Sequence, residues 1–571
     1  MQDWAGGMQT VEEGIEYHQK PQYISSKGAD AAFPGQVLCQ PSATTISVGS
    51  GPALGGVLKQ VDFTASGGAI NTFLVENQRY AHKLSGANTW TQAVDLGAGQ
   101  AAKDGIAHGG FIAIGYGSGG QVYSADGATF TVATANKADA YGALGQNLYR
   151  AVVPNTVFAS TAVNGAWDSG STIADSSFTI NSLVGLEQVL LIGKTDGIYS
   201  IDSDGTVVPF TPELRTQANA KFASIQASDS FNGDYYFRTL NGVIEISGGD
   251  GTKKRVGLDQ LANPDIPTVV VQAITHDDRY LYALCANTSN DLMILRRSIG
   301  GNWHVFYWDG STGTKQGQHI AVSSVFGYPA LFFSYYDGAA YTTKFIRLST
   351  FPNPLQDTNY RYDTSTTSRI RIGRFGTAEA QMVIDSILIQ SRNCTAGATI
   401  TPYVSADGAT PIQFGSIAVM SSPFTTVNAG VAVTANFIDL YFDLTTDSNQ
   451  ISPVLVGFSV KGAYRPNHRR VHSFNFITTR GHGATRTGNR LAAPTETAAN
   501  LEALVASNAY QTVIDERGHT FAGLVHDVSR LTLDVDPGDE PDEFIQATVW
   551  EAATASTSTA TAPAYGGTVY G

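Results

Sequence analysis

Cysteine is nearly missing from this chain: Cys39, Cys285 and Cys394 stand far apart and odd in number. That excludes a disulfide framework and any CxxC metal knuckle, and the three read as buried thiols. Charge is sparse too, at 15% of residues, and the balance is acidic, with 35 Lys and Arg against 49 Asp and Glu and a formal net charge of -14. Such a chain repels phosphate backbones and anionic membranes at long range, so neither specific nucleic-acid reading nor polybasic anchoring is expected. No apolar run approaches the roughly 20 residues that cross a bilayer, and the opening MQDWAGGMQTVEEG has neither a basic nor an apolar leader segment. The reading is a chain made and folded in a cytosol, without membrane insertion.

What is abundant points to strands. Gly reaches 60 residues, and Thr, Ser, Ala, Val and aromatics dominate the rest, which favours pleated strands and tight turns. The predicted class is all-β. At 571 residues the chain suggests three or four units of roughly 150 residues, of which one large ring could absorb two. From 36 to 350 a unit recurs: an apolar strand, a short turn, a second strand, then a Gly/Asp/Asn turn and an aromatic or β-branched residue. Clear copies are GFIAIGYGSGGQVYSADGATF, VLLIGKTDGIYSIDSDGTVV and PALFFSYYDGAAYTTKF. The residue after each late turn, namely Trp90, Phe130, Trp167, Val208, Arg255, Trp303 and Phe345, recurs at about 40 positions, the period of a β-propeller. Seven blades are counted, with six as the alternative, and the leftover strand TTISVGS is expected to complete the last blade and lock the ring.

Four further segments surround the propeller. Residues 1–35 read as a polar N-terminal arm, with Trp4, Tyr17 and Tyr23 as anchors. The proline-containing FPNPLQDTNYRYDTSTT reads as a linker into a β-sandwich over 351–464, with Ile384, Ile387, Ile389, Phe437, Leu440 and Phe442 in its core. Residues 465–551 read as a small β-barrel-like domain with one helix over 495–508, started by Pro494 and Thr495 and carrying Leu501, Leu504 and Val505 on one face. The low-complexity 552–571 reads as a tail.

No catalytic, cofactor-binding or metal-binding residue is assigned. The turns SADGATF (124–130) and SGANTWT (85–91) approach the Asp-box of sialidase-type propellers, where the Asp accepts turn amides and the role is structural. The histidines, among them His82, His108, His276, His304, His319 and His519, form no HxH or HExxH pattern. His468, Arg469, Arg470 and His472, with Arg480, His482, Arg486 and Arg490, read as a solvated or interface loop. The acidic DVDPGDEPDE (534–543) lacks the ordered spacing of a calcium loop. A propeller glycosidase would need two converging carboxylates, and Glu187, Asp229, Asp234, Glu245 and Asp277 look scattered or turn-bound.

The run SPVLVGFSVKGAYRPNHRRVHSFNFITTRG, the helix TETAANLEALVASN and the strand pair YQTVIDERGHTFAGLVHDV resemble tail proteins of long-tailed bacteriophages and prophages, in which a sandwich leads into a small barrel of distal-tail or tube type. DWAGGMQT and KTDGIYSIDSDGTVVPFTPEL look similar as well, although the specific motifs occupy only about 450–550. The resemblance implies a tail-tip or minor tail protein of the virion. It also implies homo-oligomerisation around the tail axis and contact with tube, hub or tape-measure proteins. Catalysis is not expected. Two alternatives stand beside it: an adhesin whose propeller loops hold a host-surface glycan or protein receptor, and the propeller glycosidase.

Overall fold

A strand covered on both faces must be apolar at consecutive positions, whereas a half-covered one alternates. A computed structural model of the chain describes residues 25–552 apart from internal segments, the longest being 212–227, 257–269 and 479–493. The continuous runs VLLIGK, YLYALCA and ALFFSYY form the second strands of three separate sheets, Val189–Lys194, Tyr280–Ala286 and Ala330–Tyr336. Successive side chains in such a strand serve opposite neighbours. In Ile70–Glu76, Phe73 and Val75 pack with Ile112 and Ile114 of the following sheet, while Leu74 packs with Phe332 of another.

The chain lays down six four-stranded antiparallel sheets in order: Val57–Asp95, Asp104–Ala133, Ala140–Thr172, Ile180–Thr211, Ser228–Arg255 and Val270–Trp308. A seventh is built from both ends of the ring. Its first three strands are Gln316–Ser323, Ala330–Tyr336 and Tyr341–Arg347, and its outermost is Ala43–Val48, paired antiparallel with Lys344 opposite Thr45. The same early strand touches blade 1 in parallel, Ser47 beside Thr89 and Val48 beside Trp90. The first strand of each blade contacts the first strands of both neighbours, so the propeller closes with seven blades.

Six of the seven recurrent markers stand in or next to the outermost strand of their blades, or between its last two strands in the case of Trp167. Phe345 differs: it lies in the third strand of blade 7, because the fourth comes from residues 43–48. Each seam has an apolar cluster. Tyr141 and Leu148 meet Ala113 between blades 2 and 3, and Tyr235 and Phe237 meet Leu186 and Leu191 between blades 4 and 5. Near the axis the sheets approach closely, and Gly185 shows how closely: a Cβ there would lie 2.1 Å from the Ala143 carbonyl oxygen.

The sandwich stacks two sheets. One has the order Ser25–Lys27, Ser368–Gly376, Phe437–Thr445, Thr399–Ala406, Ile412–Gln413, and the other Phe424–Ala435, Ala380–Arg392, Val454–Pro466. Residues 25–39, divided in the sequence reading between arm and propeller, belong here instead: Ser25 to Lys27 pair with Arg371 to Arg369 and extend the first sheet. The propeller is thus inserted between two strands of one sandwich sheet. Ile384, Ile387, Ile389, Leu440 and Phe442 are fully buried as expected. Phe437 is only half-buried, since Ile438, Leu440, Phe442 and Leu444 take the inward parity of that strand.

The junction is packed. The apolar cluster between blades 5 and 6, including Tyr236, Leu295 and Val305, runs on without a break into Ile370, Ile384 and Leu440 of the sandwich. Gln40, fully buried, accepts from the Trp308 amide at 2.9 Å and donates to Asp363 at 2.7 Å, tying blade 6 to the proline-rich segment. Gly28, at φ +73°, lies so close that a Cβ would meet the Gln40 Oε1 at 2.3 Å. The segment expected as a linker is therefore a packed bridge, with Tyr360 and Tyr362 buried in edge-to-face contact. Buried Arg296 of blade 6 reaches Asp30 at 2.6 Å and is sandwiched by Phe33, Tyr280 and Phe306.

The C-terminal unit is a four-stranded antiparallel sheet in the order His468–Thr478, Asp542–Ala552, Thr520–Asp534, Gln511–Ile514. The helix Pro494–Ser507, the only one among the described residues, packs on the two long strands of that sheet. Pro494 opens it at a position where a missing amide costs nothing. No helix among the described residues is long and apolar enough to cross a membrane.

Candidate functional site

A recess lies on the sandwich, where an alternating basic strand pairs with an alternating acidic one. In SRIRIGRF the isoleucines point inward and the arginines outward, and in FIDLYFDL the carboxylates and Tyr441 do the same. Register brings Arg369 opposite Asp443 and Arg371 opposite Tyr441; a bulge between Arg371 and Gly373 then sets Arg374 opposite Asp439. The N-terminal strand adds Ser25 and Lys27 at one side, and the turn Gly408–Pro411 walls the other. The open cleft between them has a volume of about 460 Å³.

Its electrostatics are asymmetric. Asp443 takes a two-pronged bond from Arg369, at 2.5 and 2.7 Å, and this bond holds the guanidinium protonated more firmly than usual. Asp439, buried, serves two arginines: Arg371 at 3.1 Å and Arg374 at 3.2 Å. Lys27 is exposed and stands 5.8 Å from the Trp308 ring centre, with no ion pair among the described residues. Lys27, Arg369, Arg371, Arg374 and Asp439 are the charged side chains that line the cleft. Guanidinium forks match carboxylate oxygens in a planar, two-pronged way, and Arg369 makes that match with Asp443.

No family model matches the chain, and no curated protein sequence matches it. Among solved structures it is similar to YCF48 bound to a D1 peptide (10% identity, 54% of this chain and 97% of that one, TM-score 0.40). It is also similar to BamB from Moraxella catarrhalis (11% identity, 60% and 97%, TM-score 0.33) and YCF48 from Cyanidioschyzon merolae (11% identity, 53% and 98%, TM-score 0.37). At these identities the likeness concerns the propeller fold alone.

The residues singled out in the sequence take structural posts. Asp126 accepts from Ser124 Oγ and the amides of Ala128 and Thr129 at 2.7 to 2.8 Å, and those turn amides hold its carboxyl far below the usual range. Asp277 likewise accepts turn amides from Arg279 and Tyr280. Glu245 binds Tyr236 and Arg297, both at 3.0 Å. Asp229 meets His276 at 2.8 Å across the seam between blades 5 and 6, which raises the imidazole pKa against its burial. His82 is buried against Glu76 inside blade 1, and His319 accepts the Gln60 amide at 2.9 Å, stitching blade 7 to blade 1. His472 contacts Glu551 at 2.9 Å in the C-terminal sheet. Cys39 and Cys285 are buried thiols, whereas Cys394 is only half-buried.

No group of three potential metal ligands gathers among the described residues. Trp4, Tyr17, Tyr23, Glu187, Arg480, His482, Arg486, Arg490, His519, the centre of the acidic run (535–541) and the tail 553–571 lie outside the described residues. The side chains of His468, Arg469 and Arg470 do too. The arginine cleft was absent from the sequence reading, yet its signal was there: two period-2 strands of opposite charge about 65 to 75 positions apart, separations that recur between the bonded pairs.

Proposed function

We propose that this chain is a structural component of a bacteriophage tail, a minor tail or tail-tip protein. It would assemble as a homo-oligomer around the tail axis against tube, hub or tape-measure proteins. The observation that supports this most is the continuous apolar core shared by propeller and sandwich, with the chain crossing the junction twice. A part that transmits position through a large particle needs stiffness between its modules, and a hydrophobic junction of this kind supplies it, whereas tethered domains move independently.

The C-terminal sheet supports the assembly side of the reading. Its outer strands, His468–Thr478 and Gln511–Ile514, have no further strand beside them among the described residues, and free sheet edges are templates for pairing with another chain. The sequence resemblance covers this same region. In this reading the protein holds geometry and catalyses nothing, and its net negative charge keeps passing DNA from adhering to any surface that faces the lumen.

Cryo-electron microscopy of intact particles that carry the gene is the test. The expected result is ring-like density along the tail axis that the propeller and sandwich fit as one rigid body. Particles whose tails lack the chain overturn the reading. Placement on a peripheral fibre, with adsorption blocked by the purified protein, would favour the adhesin instead.

A further inference from the structure

We infer that the seam closing the ring, between blades 7 and 1, holds one buried water molecule in a site built by His319, Gln60, Ser334 and Thr343. The inference does not depend on placement in a tail. It starts from the tautomer of His319. Nε2 of that ring accepts the Gln60 backbone amide at 2.9 Å, so Nε2 carries no proton. Burial, with the Lys59 ammonium adding to it, pushes the imidazole pKa down to about 3, so the ring is neutral near pH 7. Its one exchangeable proton therefore stands on Nδ1. That atom is shut off from solvent and has no hydrogen-bond partner among the described residues. The side-chain Nε2 of Gln60 is a second buried donor without a partner. Buried donors are costly to leave unpaired, so two of them on facing blades call for a shared acceptor.

Both residues line one cavity of about 10 Å³, close to the room that a single water needs. Gln60 and Leu74 line it from blade 1, and His319, Phe332, Ser334 and Thr343 from blade 7. The polar walls suit water. Trp90 donates to Thr343 Oγ1 at 2.7 Å, which leaves that oxygen a second lone pair, and Ser334 Oγ makes only a long bond, 3.4 Å, to the His319 carbonyl. A water accepts from His319 Nδ1 and Gln60 Nε2 and donates to the two hydroxyl oxygens. Four partners are within the two to four that buried waters make. The same walls decide against other occupants. A cation would meet two N–H donors, and any species of more than one heavy atom exceeds the volume. The seam is thus stitched twice, by the direct bond from the Gln60 amide to His319 and by the water beside it.

The test is X-ray diffraction from crystals of the full chain, at a resolution that shows single waters. The expected result is one peak of density in the cavity, about 2.7 to 3.2 Å from His319 Nδ1. Long-range proton–nitrogen correlation spectra of the full chain, isotope-labelled at histidine, should place the His319 proton on Nδ1. Val57→Ile supplies a further readout. Val57 lines the cavity and is fully buried, so the added methyl group takes the space of the water and leaves both donors in place. The melting temperature should then fall by about 2 °C or more, because those donors lose their acceptor. Filling an empty apolar void would instead leave it unchanged or raise it. A cavity without density, a peak out of reach of His319 Nδ1, a proton on Nε2, or a Val57→Ile chain that melts no earlier than the unaltered one would each overturn the proposal.

Discussion

At the scale of single residues, burial decides which ionisable groups stay neutral in the fold. His304 is an instance. It stands in the outermost strand of blade 6 opposite Arg296, and burial, reinforced by that guanidinium, pushes its pKa down to about 3. An unfolded histidine titrates near 6.5. Between those two values the unfolded chain binds a proton that the folded chain refuses, so stability is complete above pH 6.5 and falls as pH drops towards 3. His304→Gln removes that proton from the balance. Urea midpoints taken at pH 7, 6, 5 and 4 should show the acid limb of the variant less steep, by up to about 1.4 kcal/mol per pH unit. Equal slopes would mean that His304 already titrates freely in the fold.

At the scale of elements, the period of the repeat was legible because each blade reuses one strand pattern, and the closing strand was legible as the one left over. Ile46 shows what that strand does: it is buried between Trp90 of blade 1 and Phe345 of blade 7, while Thr45 beside it points to solvent. Ile46→Asp should therefore cost roughly 3 kcal/mol or more, through lost apolar burial and an unpaired carboxylate. Thr45→Asp should cost under about 0.5 kcal/mol. Limited proteolysis would report the difference as cutting near 49–56 in the first variant alone; equal resistance would show that the ring holds without its closing strand. Other features were hidden for a physical reason. The role of Ser25–Lys27 depends on a partner strand more than 340 positions away, and the cleft depends on the register of two strands whose own patterns show only alternation. Parity also explains Phe437, an aromatic at a strand end whose phase turns it from the core.

At the scale of the whole molecule, the sandwich is interrupted by the propeller, whose two connections leave and return at the paired strands Ser25–Lys27 and Ser368–Gly376. Asp30 and Arg296 sit at that junction, both nearly fully buried, with burial pushing the Asp30 carboxyl up while Arg296 pulls it down. A buried pair of this kind is costly to break from one side, on the order of 3 to 5 kcal/mol, yet close to neutral when both partners become uncharged. Asp30→Asn and Arg296→Met should each lower the melting temperature, and the double variant should lie well above the sum of the two losses. Calorimetry carries a second readout. In the unaltered chain propeller and sandwich should melt together, because one apolar core runs through both, and in Arg296→Met the transition should broaden or divide as the junction loosens first. Strict additivity with an undivided transition in every variant would show that the apolar contacts alone hold the two modules together, and that the ion pair serves only to orient the segment that carries Asp30.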